Sequence, residues 1–275
     1  MEKVYTKSIR NVVLLGHSGG GKTSLAESML YISRLTDRLG SVTDGNTICD
    51  YDPEEIKRGY SISASSAPLL WNGAKINILD TPGFFDFEAE ARQCVRAADA
   101  AIIVVDGKAG IEVGTELAWN AATAAGLPKA FFINKFDDND ARFARVLDDL
   151  HTTFGKHICP LTIPMVKDGE VKGCIDLIDK SAHVFDNNGR HSVEIIPDES
   201  MEAVEKFRDM LMEAVASTDE DLMEKYFGGE EITPIKNMRS KNITSAKQPM
   251  ILSVTFLDLN RLTTIKPAMI TIKAT

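Results

Sequence analysis

Apolar runs and helical spacing alternate along the first 156 residues, and this alternation stops afterwards. Residues 11–15 form a short apolar run that ends at Gly16, the pattern of a buried strand. Residues 23–32 follow with helical spacing, Leu25, Met29 and Leu30 sharing one side. Residues 36–60 are polar and rich in Asp and Gly, and read as a long mobile loop. Runs at 61–71 and 75–80 read as two strands joined by Asn72-Gly73, a pair that tolerates the positive φ angles of a tight hairpin turn. A helix at 87–98, a strand at 100–106, a helix at 112–125, a strand at 129–134 and a helix at 140–154 complete the series. Strands alternating with helices predict a mostly parallel sheet covered on both faces, a three-layer α/β sandwich.

From residue 157 on the pattern differs. Runs at 161–166 and 171–178 flank Asp168-Gly169, and runs at 183–186 and 192–196 flank Asn187-Asn188-Gly189, both hairpin signals. Residues 198–217 carry Val204, Phe207, Leu211 and Val215 at helical spacing, and one more helix is expected at 219–227. These elements predict a small α+β insertion at 157–233, separate from the parallel sheet of residues 1–156. Charge marks a further boundary. The chain carries −9 overall, yet of its 31 Lys and Arg 7 lie after residue 233, against Asp258 alone of its 40 Asp and Glu. Residues 234–275 therefore read as a divergent tail, either disordered, or the product of a reading-frame change, or part of a fragment. The acidic balance argues against a general nucleic-acid coat. The first ten residues are polar, and the most apolar run, 97–105, is far too short to span a bilayer. Four scattered cysteines without a C-x-x-C pair point to reduced thiols in a cytoplasmic protein.

Three motifs carry chemistry. Gly16-His17-Ser18-Gly19-Gly20-Gly21-Lys22-Thr23 stands between a strand and a helix and matches the P-loop of nucleoside triphosphatases. A triphosphate needs many donors in a small space. Glycines let backbone N–H groups turn inward, the helix presents its positive end, Lys22 reaches the β- and γ-phosphates, and the Thr23 hydroxyl binds Mg²⁺. His17 is expected to serve mainly through its backbone. Asp80-Thr81-Pro82-Gly83 closes a strand, where a carboxylate can hold the Mg²⁺ shell and a glycine N–H can sense the γ-phosphate. Asn134-Lys135-Phe136-Asp137 closes another, and an ionised Asp137 can accept both guanine donors that adenine lacks in that arrangement. The order of the three predicts a guanine nucleotide, GTP or GDP, with Mg²⁺. The other histidines, His151, His157, His183 and His191, have no metal spacing.

The stretch Asp50-Tyr51-Asp52-Pro53-Glu54-Glu55-Ile56-Lys57-Arg58-Gly59-Tyr60-Ser61-Ile62 resembles the first switch of elongation factor G. Within the insertion, Gly173-Cys174-Ile175-Asp176-Leu177-Ile178 and Thr218-Asp219-Glu220-Asp221-Leu222-Met223-Glu224-Lys225-Tyr226 resemble that factor's extra subdomain. The resemblance implies a monomeric GTPase that acts on the ribosome, with no membrane and no sequence-specific DNA partner, and Ser61 in the place of a Mg²⁺-binding threonine. Two positions depart from the family. Gly19 stands where an Asp is usual, and Phe84 follows Gly83 where a histidine positions the attacking water. Lys22, Gly83 and Phe84 are thus the residues on which hydrolysis turns. The departures resemble the elongation-factor-G-like side branch or the tetracycline-resistance ribosomal protection proteins, and predict slow hydrolysis with nucleotide binding intact. For the family's last core strand, 249–252 is one candidate, and Thr244-Ser245-Ala246-Lys247 offers an alternative base loop.

Overall fold

A computed structural model of the chain describes residues 5–136, 142–167, 170–185, 191–217, 220–228 and 251–252. The core is a five-stranded sheet in the order β2-β3-β1-β4-β5, formed by β1 (Ile9–Leu15), β2 (Ser65–Trp71), β3 (Ala74–Asp80), β4 (Ala100–Asp106) and β5 (Lys129–Asn134). All neighbours run parallel except the β2–β3 hairpin. Strand β1 is central, and its Val12 to Leu15 stretch is buried on both faces, which explains its unbroken apolar run. Val13 and Leu15 point to one face, where Ile103, Phe131 and Ile133 meet Val95, Ala118, Val146 and Leu150 of α3 (Glu88–Ala97), α4 (Val113–Ala124) and α5 (Phe143–Phe154). Val12 and Leu14 point to the other, onto Leu25, Ala26, Met29 and Leu30 of α1 (Lys22–Ile32). The three layers anticipated from the sequence are present.

At the hairpin Asn72 has φ 46° and Gly73 φ 79°, the pair of positive values a tight two-residue turn requires. Two expectations fail nearby. Residues 36–60 are not a featureless mobile loop, because Pro53–Arg58 forms a helix, α2. The Asp52 side chain accepts from the backbone of Glu54, Glu55 reaches back to the N–H of Asp52, and Gly59 closes the helix at φ 71°. Strand β2 starts at Ser65 rather than at residue 61. The intervening N–H groups are bound elsewhere: those of Ile62 and Ser63 to Glu55, and that of Ala64 to Glu90 of α3.

The insertion forms a second, antiparallel sheet in the order β10-β9-β8-β7, from β7 (Thr162–Lys167), β8 (Glu170–Asp176), β9 (Ser181–Phe185) and β10 (His191–Glu194). Ile163, Met165, Ile175 and Leu177 of this layer pack under Val204, Leu211 and Val215 of α6 (Asp198–Ala216) and Leu222 of α7 (Glu220–Phe227). The Phe143 ring of α5 meets Phe207 of α6 edge-on at 5.4 Å, joining the two cores. A short parallel pair, β6 (Cys159–Pro160) with β11 (Ile251–Leu252), brings the chain back beside the main sheet. The two expected turns at 168–169 and 187–189, and residues 137, 218–219 and 244–247, lie outside the described residues. None of the four cysteines is in a disulfide. No helix among the described residues is long and apolar enough to cross a membrane.

Candidate nucleotide and metal site

The ends of β1, β3 and β5 and the start of α1 meet at one edge of the sheet. Gly16 leaves β1 at φ 136°, and a side chain there would run into the carbonyl of Val104 on β4. Gly21 caps α1 at φ 95°, and a Cβ would strike the Asn134 amide. Both positions therefore require glycine. Lys22 folds back over the loop, its Nζ donating to the carbonyls of Gly16 at 3.0 Å and His17 at 2.8 Å. Burial lowers its pKa to about 8, against the opposing pull of Asp80, Asp50 and Glu112. Ser18 lies in the same turn, Gly19 is open to solvent at φ 75°, and Gly20 lends its carbonyl to Asn134.

Below Lys22 the hydroxyl of Thr23 donates to Asp80 Oδ2 at 2.7 Å and lies 3.1 Å from Ser61 Oγ. Ser61 in turn donates to Asp50 Oδ1 at 2.6 Å. Thr23, Ser61 and Asp80, expected as metal-binding residues, thus form one cluster, and Asp50 completes it. Asp50 opens the first-switch segment, yet its position in the sequence assigns it no role. Its partner Ser61 is eleven residues away, beyond the reach of local pattern. Burial raises the Asp50 carboxyl above the ordinary range, although its bond from Ser61 favours the charged form. Burial pushes Asp80 up to about 7, with the Thr23 bond and Lys22 acting in the opposite sense. Asp80 Oδ1 is buried and has no hydrogen-bond partner among the described residues. An orphaned carboxylate oxygen beside two hydroxyls and a second carboxylate is an oxygen donor set that suits a hard divalent cation. No trio of His, Cys, Asp or Glu that could hold a metal is found among the described residues, so this capacity rests on hydroxyls with two carboxylates.

Thr81 is anchored to the Leu14 carbonyl at 2.6 Å, and Pro82 is buried behind it. Gly83 approaches the phosphate loop so closely that a Cβ would lie 2.5 Å from Lys22 Nζ and 2.7 Å from Ser18 N and Cα. Phe84 is 39% exposed and packs on Tyr60 at 4.6 Å between ring centroids, joining the two switch segments. His17 does more than space the loop. Its ring lies 5.8 Å from Phe85, and its Nε2 sits 3.4 Å from Glu112 at the start of α4.

At the third corner, Asn134 donates to the Gly20 carbonyl at 3.0 Å, while its Oδ1 is buried and without a partner among the described residues. Lys135 adopts φ 60° and binds Asp106 Oδ2 at 2.8 Å. Asp106 is shifted upward by burial, but the Lys135 bond and the N–H groups of Ala109 and Lys108 outweigh this and lower it. Phe136 is buried beside Gly107. The left-handed backbone of a lysine here, worth about 1–3 kcal/mol of strain, fits a functional corner. Asp137, the expected base reader, lies outside the described residues.

The glycine-rich loop thus stands between the oxygen cluster of Thr23, Ser61, Asp80 and Asp50 and the end of β5 at Asn134. A model of the elongation factor Tu GTP binding domain matches residues 7–259. Mitochondrial ribosome-releasing factor 2 of Culex quinquefasciatus is 35% identical over 206 residues, 74% of this chain and 28% of that protein. Elongation factor G of Dehalococcoides mccartyi strain BAV1 is 35% identical over 234 residues, 84% of this chain and 34% of that protein. A crystal structure of a protein from Thermus thermophilus superimposes with a TM-score of 0.85 at 36% identity, covering 93% of this chain and 38% of the other. The chain thus spans about a quarter to a third of the curated relatives. Matched over residues 7–259, the chain belongs to the family of the elongation factor Tu GTP binding domain.

Proposed function

We propose that the chain is the Mg²⁺-dependent GTPase module of a cytoplasmic translation factor that acts on the ribosome as a monomer, in translocation or in ribosome release. One observation carries the reading: the Thr23–Asp80–Ser61–Asp50 cluster lies directly beneath the looped Lys22. Thr23 and Ser61 would hold Mg²⁺ with Asp80, and Asp50 would brace Ser61. Bound there, the ion supplies positive charge against the β- and γ-phosphates. Lys22, released from the Gly16 and His17 carbonyls, transfers its donors to the same phosphates. Gly83 presents its N–H to the γ-phosphate. Asn134 and Asp137 form the guanine side. Residues 1–156 make up the nucleotide-binding unit, 157–233 the insertion, and 234–275 a divergent tail apart from β11.

Phe84 favours a second reading of the same site, a GTP/GDP switch that hydrolyses slowly by itself. Phenyl has no donor or acceptor, and a residue that orients water contributes a factor of about 10²–10⁴. Its contact with Tyr60 makes it an apolar gate between the switches. Single-turnover GTP hydrolysis with and without ribosomes separates the two. Phe84→His in a form carrying the full set of domains is expected to raise the ribosome-stimulated rate; an unchanged rate would rule out the missing histidine as the limit. Competition against labelled GDP tests the nucleotide itself, and equal competition by ATP would rule out the guanine reading.

A further inference from the structure

Glu27 is 1% exposed, one helical turn past Thr23 along α1, a place where a carboxylate is costly unless it is bound. It is bound. Its Oε1 accepts the backbone N–H of Ile48 at 2.7 Å and of Cys49 at 3.1 Å. Its Oε2 faces Gly40, where a Cβ would collide with it, and Thr47 lies against the same glycine. The next residue after Cys49 is Asp50, which accepts from Ser61, which touches Thr23, which stands one helical turn before Glu27. The contacts therefore close a ring: Thr23, Ser61, Asp50, the 48–49 backbone, Glu27, and back along α1 to Thr23. The charge of Glu27 also reaches Asp80, whose pKa it helps to raise.

We infer that Glu27 is a positioning residue for the cation site, holding the 48–49 backbone on α1 so that Asp50 meets Ser61 and Thr23. This rests on the GTP and Mg²⁺ reading above and adds a residue to it. Glu27 does not touch the cation or nucleotide positions; it acts through Asp50. Partners one shell beyond a metal ligand typically change metal affinity about 10–100-fold when removed.

The test measures release of labelled GDP from the 275-residue chain as Mg²⁺ is titrated, in the parent, Glu27→Gln, Glu27→Ala, Asp50→Asn and the double variant Glu27→Gln with Asp50→Asn. Glu27→Gln keeps an acceptor oxygen but removes the charge that strengthens both N–H bonds, and so decides the matter if Glu27→Ala does not fold. The expected result is a Mg²⁺ midpoint raised about tenfold or more in Glu27→Gln, unchanged GDP affinity in EDTA, and no further rise on adding Glu27→Gln to Asp50→Asn. Hydrogen exchange of the Ile48 and Cys49 amides is expected to speed up in Glu27→Gln. An unmoved midpoint with normal GDP binding, or a full additive effect in the double variant, overturns the inference alone. Failure of the parent chain to bind GDP overturns the nucleotide reading and this inference with it.

Discussion

Adding one methyl group at Gly83 is expected to separate GTP from GDP binding. The backbone at Gly83 has no positive φ, so Gly83→Ala brings no conformational strain, only a problem of space. The new Cβ would lie 2.5 Å from Lys22 Nζ and 2.7 Å from Ser18 N and Cα, where ordinary contacts are about 3.5–4.0 Å. Lys22 Nζ is the end of a flexible side chain and can move aside, but Ser18 contributes backbone atoms inside the glycine-rich loop and cannot retreat cheaply. The 81–84 turn must therefore back away by roughly 1 Å. Thr81 is anchored to Leu14, so the retreat falls on Gly83 and Phe84. Overpacking of this kind costs about 1–3 kcal/mol, or roughly a 5- to 150-fold change in an equilibrium. GTP, whose γ-phosphate the proposed site would place at the Gly83 N–H, is expected to lose affinity by that factor; GDP, which lacks the group, is expected to bind as before. Competition of each nucleotide against fluorescent GDP measures both. An equal loss for GTP and GDP would refute the reasoning, since it would mean that the methyl displaces Lys22 rather than the turn.

Lys22→Ala is expected to weaken GTP by about 10²–10⁴-fold, from two charged hydrogen bonds at about 1.5–3 kcal/mol each, and GDP, which lacks the γ-phosphate, by about 10–10²-fold from one, with the fold retained; unchanged GTP affinity in direct binding would disprove its role. Asp137→Asn is expected to shift preference from guanine to xanthine nucleotides, read out by competition with XDP, because the amide reverses the donor pattern. In the metal-free chain Asp80 has a folded pKa of about 7, above its ordinary 3.8, so the folded state favours the neutral acid. The stability this gives is complete below about pH 3.8 and is lost as pH rises to about 7, with a ceiling of about 4 kcal/mol. Asp80→Asn, always neutral, is expected to gain stability relative to the parent between about pH 4 and 7 in urea unfolding with EDTA, and parallel pH curves for the two would contradict the shift.

The main sheet and the glycine-rich turn after β1 were legible because their causes are local. Val12 to Leu15 are apolar because β1 is buried on both faces, and Asn72-Gly73 turns because its φ angles are positive. Gly16 and Gly21 are glycines because a Cβ at either would strike Val104 or Asn134. The first switch was not legible for the opposite reason. Its polarity suggested a loose loop, but Glu27 of α1 gathers residues 48–49, and the buried Glu55 gathers residues 62–63 and caps α2. Composition counts such carboxylates as solvated, and only tertiary contact reveals what they bind. Asp50 was overlooked on the same account, as was Asp106, whose lysine partner is twenty-nine residues further on. Phe84 stood out by type, but its partner Tyr60 did not, since nothing in the sequence brings the two switches together.

The hydrogen bond from Asn134 to the Gly20 carbonyl has a consequence for selectivity by size. On the proposed reading it ties the strand end that would flank the base to the loop that would hold the phosphates, and a Cβ at Gly21 would push the two apart. The separation between base and phosphates is thereby fixed by the protein before any ligand arrives. The site then works as a ruler as well as a chemical reader. A guanine compound with the right donors but a stretched or shortened tether to its phosphates cannot reach both ends at once, and would bind no better than its stronger half alone.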